Sequence, residues 1–547
     1  MQGQPMLVMS EDAERMKDED AQSHNISAAR AVADAVRSTL GPKGMDKMLV
    51  DSMGDVTITN DGVTILDEMD IEDPTAEMIV EVAETQEDEA GDGTTSAVAI
   101  AGELLKNAEG LLDQDIHPTA IIGGFQLGAE KAREEIGNIT YTVDSDDVEV
   151  LRRVAETSMT GKGTEVNKEL IAELVVEAVQ GVTVEREGGG SVADIEYVNV
   201  ETQTGGGVRD SELVSGAVID KDPVHSDMPT EVEDARFLLL DQPVEVEETE
   251  VDAEISVDDP SQLQSFLDEE EEQLEAMVET IADTGANVVL CQKGIDDLAQ
   301  HYLARKGILA IRRVKKSDIE FLPEVLDARI VSDLETASAD DLGHGSIGRR
   351  GDEDGPFYVE GDGSGHGVTL LLRGSTDHVV DELERGVEDA LDVVAQTVTD
   401  GRVLAGGGAP EVEVASRVRD YADGVEGREQ LAVEAFADAL ELIPRTLAEN
   451  AGLDPIDTLV DLRAAHEDGR ETAGLDVFTG DVVDTYDAGV IEPAHAKEQA
   501  VASAQEAANL VLKIDDIIEA GEDDDEGGPG GAPGGGMGGM GGMGGAM

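Results

Sequence analysis

The chain changes texture twice along its length and then changes back, and this return constrains the fold more than any single motif. Residues up to about 147 read as mostly helical. From Val148, helical segments lead to Gly205-Gly206-Gly207 and a stretch rich in Val, Leu and turns, including "RFLLLD" and "NVVLCQKG", as in an α/β unit. After the strand-like "VTLLLRG", ending at Gly374, helical text resumes through Val398, passes Gly406-Gly407-Gly408 and continues to about Ala520. A length of 547 residues predicts three or four units of ~150 residues. The nested order means that the outer unit is closed by both chain ends.

Local signals fill in this plan. Asn25 is placed to cap a helix whose apolar positions Ile26, Ala29, Val32, Ala33, Val36 and Leu40 recur at helical spacing. A short strand over 48–50 is expected next. "DVTITNDGVTIL" then reads as a hairpin with Asn60-Asp61-Gly62 at its turn. Pro260 and Ser261 open a long helix with Leu263, Phe266, Leu267, Leu274, Met277, Val278 and Ile281 on one face, interrupted by Glu269 to Glu272. The glycine-methionine tail, 521–547, cannot offset the entropy of ordering and is expected to be disordered.

The chain carries 123 Asp+Glu against 38 Lys+Arg, a formal charge of -85. That balance excludes a general nucleic-acid binder, which needs clustered cations, and disfavours anionic membrane surfaces. The acids are interleaved with periodic apolar residues, which favours a folded protein adapted to concentrated salt over a disordered one. Only 14 of the cations are lysine. Self-repulsion of this size is screened when the Debye length falls to ~3 Å near 1 M salt. With aromatics at 2% and no Trp, the cores must be built from Ala, Val, Leu and Ile. Cys291 stands alone in an apolar run and reads as a buried structural thiol in a reducing interior. No apolar run reaches the ~18 residues of a membrane span and the start has no secretory pattern, so a cytoplasmic protein is expected.

Candidate chemistry lies in turns. "GDGTTS", Gly91 to Ser96, precedes the helical run "AVAIAGELL". A helix start of this kind presents N–H groups and the positive end of the dipole to an anion. Gly343-His344-Gly345-Ser346-Ile347-Gly348 matches G-x-G-x-x-G, but its acidic lead-in marks a chance match in a glycine-rich loop. Gly161-Lys162 is no Walker A element, since Glu156 stands where the first glycine belongs. Each turn alone is explained by the needs of turns and helix starts; several bearing Asp, Thr or Lys are harder to dismiss.

Together "TLGPKGMDKML", "GDVTITNDGVTIL", "GDGTTSAVAIAGELL", "TSMTGKG", "GANVVLCQKGIDDLAQHYL", "VEDAL" and "LAGGGAPEVE" resemble the group II chaperonins, the archaeal thermosome and its eukaryotic cytosolic relatives. The resemblance runs from about residue 15 to the tail in unbroken motif order. It implies a multi-domain α and α/β fold. A mostly helical equatorial ATP-binding domain would span 1–147 and 407–520, and a small α/β intermediate hinge domain 148–214 and 371–406. An α/β apical substrate-binding domain would span 215–370, with a lid protrusion at about 250–280 carrying Leu263, Phe266 and Leu267. The activity implied is ATP hydrolysis driving a double-ring folding chamber for unfolded proteins, its rings homo- or hetero-oligomeric.

By the same resemblance Leu40, Gly41 and Pro42 would contact nucleotide, Asp92 would bind Mg2+, and Gly93, Thr94, Thr95 and Ser96 would hold phosphates. Asp61 would lie beside the phosphates, Gly407 and Glu492 would meet sugar and base, Lys162 would sense the terminal phosphate, and Asp389 would activate water. A potassium ion is compatible with such a site. Magnesium would supply the positive charge that the acidic surface lacks. The segments 224–232 and 361–367 depart from the family pattern, which puts apical substrate contacts rather than ATP chemistry in question. An ATP-dependent phosphotransferase and a cation-binding acidic scaffold are the competing readings, and particle size separates them from a ring.

Overall fold

The computed structural model describes residues 15–17, 19–50, 53–54, 56–161, 167–186, 189–246, 260–350, 355–363 and 365–518, excepting the side chains of 15 and 260–267. Three large apolar cores organise them, with a small fourth cluster of Val214, Val218, Tyr358 and Leu371. The first is all but helical and draws on both chain ends: Ile26, Leu104 and Phe125 share it with Val418, Phe436 and Val501. The second spans 217–359 around a seven-stranded sheet. The third joins Leu151 and Val175 to Leu370, Val387 and Val394.

Small residues explain how an aromatic-poor chain packs its helical core. A Cβ on Gly102 would meet the Ala33 Cβ at 2.4 Å, and one on Gly124 would meet the Ala432 Cβ at 2.4 Å. Helices Glu19–Arg37, Thr94–Leu112, Pro118–Asn138 and Glu429–Leu440 therefore approach closely without large side chains between them. Their starts are encoded locally. Asp73 accepts from the N–H groups of Thr75 and Ala76 ahead of Pro74, and Asp454 does the same ahead of Pro455.

In the sheet of the second core, Glu231–Leu240 runs parallel to Val288–Cys291, which runs parallel to Leu309–Ile311. On its other side it pairs antiparallel with Gly343–Arg349. The glycine-rich motif at 343–348 is thus a sheet strand, not the loop expected. Its glycines admit close neighbours: a Cβ on Gly345 would lie 2.0 Å from the Glu360 carbonyl oxygen. Cys291 is buried, and burial pushes its thiol up to about 11, which keeps it inert.

The third core backs the strand Val368–Gly374, parallel to Val198–Thr204 and antiparallel to Glu212–Ser215. The helices Val148–Ser158, Lys168–Gly181 and Asp377–Asp400 cover it. A small sheet then ties distant segments together: Arg402–Ala405 pairs with Ile491–Pro493 and with Tyr141–Thr142.

Three further expectations need correction. Asn25 does not cap; it is buried inside the helix Glu19–Arg37, where its Oδ1 accepts from Thr75 Oγ1 at 3.0 Å. "DVTITNDGVTIL" is not a hairpin: Val56–Thr59 pairs backward with Lys47–Val50, and the second arm is a helix, Gly62–Asp67. Burial of Ile65 and Leu66 in the first core selects helix over strand there. The C-terminal helical text is broken by strands Ala473–Leu475, Val482–Asp484 and Ile491–Pro493, and the last helix ends at Leu512. The tail 521–547 lies outside the described residues, as do the side chains of Leu263, Phe266 and Leu267 in the helix Pro260–Thr284. That helix buries Leu274, Val278 and Ile281, as its spacing predicts.

Candidate active site

Five separated turns converge on one cleft of about 470 Å³. The first follows the helix Glu19–Arg37, where Gly41 adopts φ +77 and lies against Leu447; a Cβ there would come within 2.3 Å of Leu447 Cδ2. Asn450 Nδ2 donates to the Leu40 carbonyl at 2.9 Å and pins the turn. Leu40, Gly41 and Pro42 all line the cleft.

Asp61 caps the helix Gly62–Asp67, its Oδ2 accepting from the Thr64 N–H and hydroxyl at 2.8 Å each. Gly62 is pressed so near the next turn that a Cβ would sit 2.6 Å from Thr95 Oγ1. That turn is "GDGTTS". Gly91 and Gly93 take φ +60 and +85, conformations open to glycine, and no side chain caps the helix Thr94–Leu112. The N–H groups of Thr94, Thr95 and Ser96 have no intrahelical acceptor by helix geometry, so they point to an external anion. Asp92 Oδ1 accepts from the Gly93 N–H at 2.7 Å, and Gln86 Nε2 donates to the Asp92 carbonyl at 2.7 Å.

The facing wall comes from the other chain end. Gly407 and Gly408 have φ +67 and +80, and a Cβ on Gly407 would lie 3.0 Å from the Leu475 carbonyl. Strand pairing sets Leu404 opposite Glu492 and so brings Gly407 and Glu492 into one wall. Behind Glu492 is a residue the sequence reading missed. Lys497 Nζ sits 2.6 Å from Glu492 and 2.7 Å from Glu411. Burial alone would lower its ammonium, but the two carboxylates outweigh burial and hold it well above the usual lysine range. Burial pushes the Glu492 carboxyl up, against the pull of Lys497. Lys168 also lines the cleft, donating to Thr160 Oγ1 at 2.8 Å.

Leu40, Gly41, Pro42, Asp61, Asp92, Gly93, Thr94, Thr95, Ser96, Gly407 and Glu492 therefore share one cavity. Lys162 lies outside the described residues. Asp389 does not line the cleft; it lies on the helix Asp377–Asp400. That helix approaches the cleft through Asp392, whose Cβ a side chain on Gly91 would meet at 2.4 Å. Burial first, and Asp389 second, push the Asp392 carboxyl up to about 6.

The donors fit magnesium. Among the described residues no cluster of three or more His, Cys, Asp or Glu forms a metal site, whereas Asp92 offers a carboxylate beside hydroxyls and anion-seeking N–H groups. Magnesium is typically held in this way, by one or two carboxylates, waters and substrate phosphates. No described helix is long and apolar enough to cross a membrane.

Comparison with known proteins identifies the family. The TCP-1/cpn60 chaperonin family model matches residues 32–522. Thermosome subunit 2 of Haloferax volcanii is 72% identical over 535 residues, covering 96% of each chain. Thermosome subunit beta of Halobacterium salinarum is 70% identical over 524 residues, covering 95% of this chain and 94% of that one. The open-state monomer of a group II chaperonin from Methanococcoides burtonii matches with TM-score 0.63 and 44% identity, over 78% of this chain and all of that one. The chain belongs to the TCP-1/cpn60 chaperonin family. It is a multi-domain α and α/β subunit that works as an ATP-dependent chaperone, hydrolysing ATP to drive folding within a double ring.

Proposed function

We propose that this cleft is where the chain binds and hydrolyses ATP, and that the helix Asp377–Asp400 carries the base. The observation that supports this most is the convergence of separated turns on one cavity around an uncapped helix start. The N–H groups of Thr94, Thr95 and Ser96 hold the phosphates, with Lys162 at the terminal one. Gly407 and the Leu40–Pro42 turn admit the nucleoside, and Glu492, steadied by Lys497, accepts from the sugar. Asp92 ligates magnesium, and Asp61 orients the attacking water. When bound, magnesium, with potassium as the accompanying monovalent cation, supplies the local positive charge that this acidic chain lacks. Asp389 takes the proton from that water once its helix closes on the cleft.

In this reading residues 1–147 and 407–520 form the equatorial domain, 148–214 and 371–406 the hinge, and 215–370 the apical domain that holds unfolded protein. The lid is assigned to about 250–280, with Leu263, Phe266 and Leu267 as its candidate lid or substrate residues. The ribbon Lys47–Val50 and Val56–Thr59 exposes Met48 and Ile58, with Met45 and Met53 beside it, an apolar patch suited to a neighbouring subunit of the ring. We place the assembly in a salt-rich cytoplasm. Negative-stain microscopy in molar salt tests the reading: double rings with magnesium-dependent ATPase and refolding activity are expected. A monomeric phosphotransferase would contradict it.

A further inference from the structure

One side chain at the cleft mouth is out of place for this protein. Aromatic residues are 2% of the chain, and Phe125, Phe237, Phe357 and Phe436 are fully buried. Phe478 is instead 62% exposed and lines the cleft. It is not loosely held. Asp476 Oδ1 accepts from the N–H groups of Phe478 at 2.9 Å and Thr479 at 3.3 Å, and the Gly480 N–H donates to the Asp476 carbonyl at 2.8 Å. This Asx turn presents the ring at the tip of the connection between Ala473–Leu475 and Val482–Asp484.

The ring has a partner from the far end of the sequence. Lys43 Nζ lies 4.6 Å from its centroid, within cation–π range, and Lys43 directly follows the Leu40–Gly41–Pro42 turn. The 40–43 turn and the 476–481 turn thus meet across the mouth. The cleft around them is apolar, with Ile443, Leu447, Leu475, Val477 and Val490 in its lining, whereas the turn at Asp92 to Ser96 offers hydroxyls, a carboxylate and N–H groups. An exposed aromatic face beside an apolar cavity, in a protein that buries its other described phenylalanines, points to a flat, weakly hydrated partner.

We propose that Phe478 is the base-recognition residue of this chain, its ring stacking on the heteroaromatic base of the nucleotide while Lys43 holds the ring in place and closes the mouth. The proposal rests on the reading of the cleft as an ATP site. Stacking suits a salt-adapted protein, because an aromatic contact persists at ionic strengths that screen exposed charge pairs. Phe478 discriminates nucleotides from bare polyphosphates, and Lys43 is a positioning residue acting through it.

The test uses the assembled full chain in molar salt, with Mg-ATP and Mg-tripolyphosphate competing against labelled ATP. Phe478→Ala should weaken ATP binding about 10-fold while leaving tripolyphosphate within about twofold, the size expected for loss of one base-stacking contact. Phe478→Leu should fall between, and Lys43→Met should show a smaller loss of the same kind. The chain has no Trp, so Phe478→Trp creates a single reporter. Its emission should change with Mg-ATP and not with Mg-tripolyphosphate. Wild-type ATP affinity in Phe478→Ala, or a Phe478→Trp signal that answers both ligands alike, would overturn the proposal with the ATP site intact. Failure of the wild-type chain to bind ATP would instead overturn the ATP reading. If Phe478→Ala does not assemble, the Leu and Trp variants decide.

Discussion

The helical core that carries the cleft and the long helix that leans on it treat their carboxylates in opposite ways. In the core, buried acids are matched by cations. Glu441, 2% exposed, takes both Arg419 and Arg463, Glu135 takes Lys131 and Arg417, and Glu411 shares Lys497 with Glu492. Along the helix Asp377–Asp400, Glu384, Glu388 and Asp392 follow one another at four-residue spacing. Partial desolvation and the neighbouring acids push Glu388, whose side chain stays exposed, up to about 7, and burial with Asp389 pushes Asp392 up to about 6. With 38 cations for 123 acids, the pairs are spent where the geometry must hold. The helix proposed to move is left with crowded acids, open to control by protons and salt.

The largest effect expected from breaking this contrast is on the matched side. Glu441→Leu leaves Arg419 and Arg463 without their buried partner and should destabilise the chain by about 3–5 kcal/mol, the usual cost of breaking a buried ion pair. Thermal unfolding in molar salt measures it. Glu388→Gln on the crowded side should instead raise stability, by ~1 kcal/mol after discounting for its partial exposure. A loss comparable to that of Glu441→Leu would erase the distinction.

Dilution from molar salt to ~0.1 M should come next, since -85 is screened far less as the Debye length grows to ~10 Å and the crowded helix has least to oppose repulsion. Protease cleavage within 377–400 before cleavage in the helical core, together with dissociation seen by sedimentation, is the expected outcome. An intact, active ring in dilute buffer would remove salt adaptation from the account.

The effect of pH is smaller and has opposite signs in the two regions. For Glu388 and Asp392 the folded pKa is raised, so folding gains stability as pH falls from about 8 through 7 and 6, by ~1–2 kcal/mol once solvent screening is allowed for. Glu135 is different. Burial alone would raise it, but its bonds to Lys131, Arg417 and Asn138 hold it at about 2. Its contribution is present above the unfolded value and is lost only as pH falls from about 4.5 toward 2. Melting temperature between pH 8 and 6 should therefore rise in the wild type and stay flatter in a Glu388→Gln, Asp392→Asn double variant.

The same contrast governs what the sequence made legible. The cleft turns were readable because Gly, Asp and Thr at fixed spacing carry their backbone needs with them, as at Gly91 to Ser96. Asn60-Asp61-Gly62 was readable as a turn but not as a helix start, since Asp serves both, and only burial of Ile65 and Leu66 decides. Gly345 signals loop in the sequence and proves to be a strand residue, because the demand for a missing Cβ comes from Glu360 across the sheet. Lys497 and Phe478 have no motif. Their one advance signal was scarcity, a lysine among 14 and an aromatic in a chain with 2% of them. The crowding of Glu388 and Asp392 was hidden as well, since solvated helix faces of this chain carry the same acids.

The central claim is that the cleft binds and the long helix catalyses, and Asp389→Ala examined beside Asp92→Ala tests it most directly. ATP affinity and single-turnover hydrolysis would be measured on assembled particles in molar salt. Asp389→Ala should bind Mg-ATP nearly as the wild type does and lose ~10²- to 10⁴-fold in hydrolysis, the usual range for removal of a general base. Asp92→Ala should lose magnesium-dependent affinity itself. Near-normal hydrolysis by Asp389→Ala, or an equal loss of binding in both variants, would contradict the division of labour between the two regions.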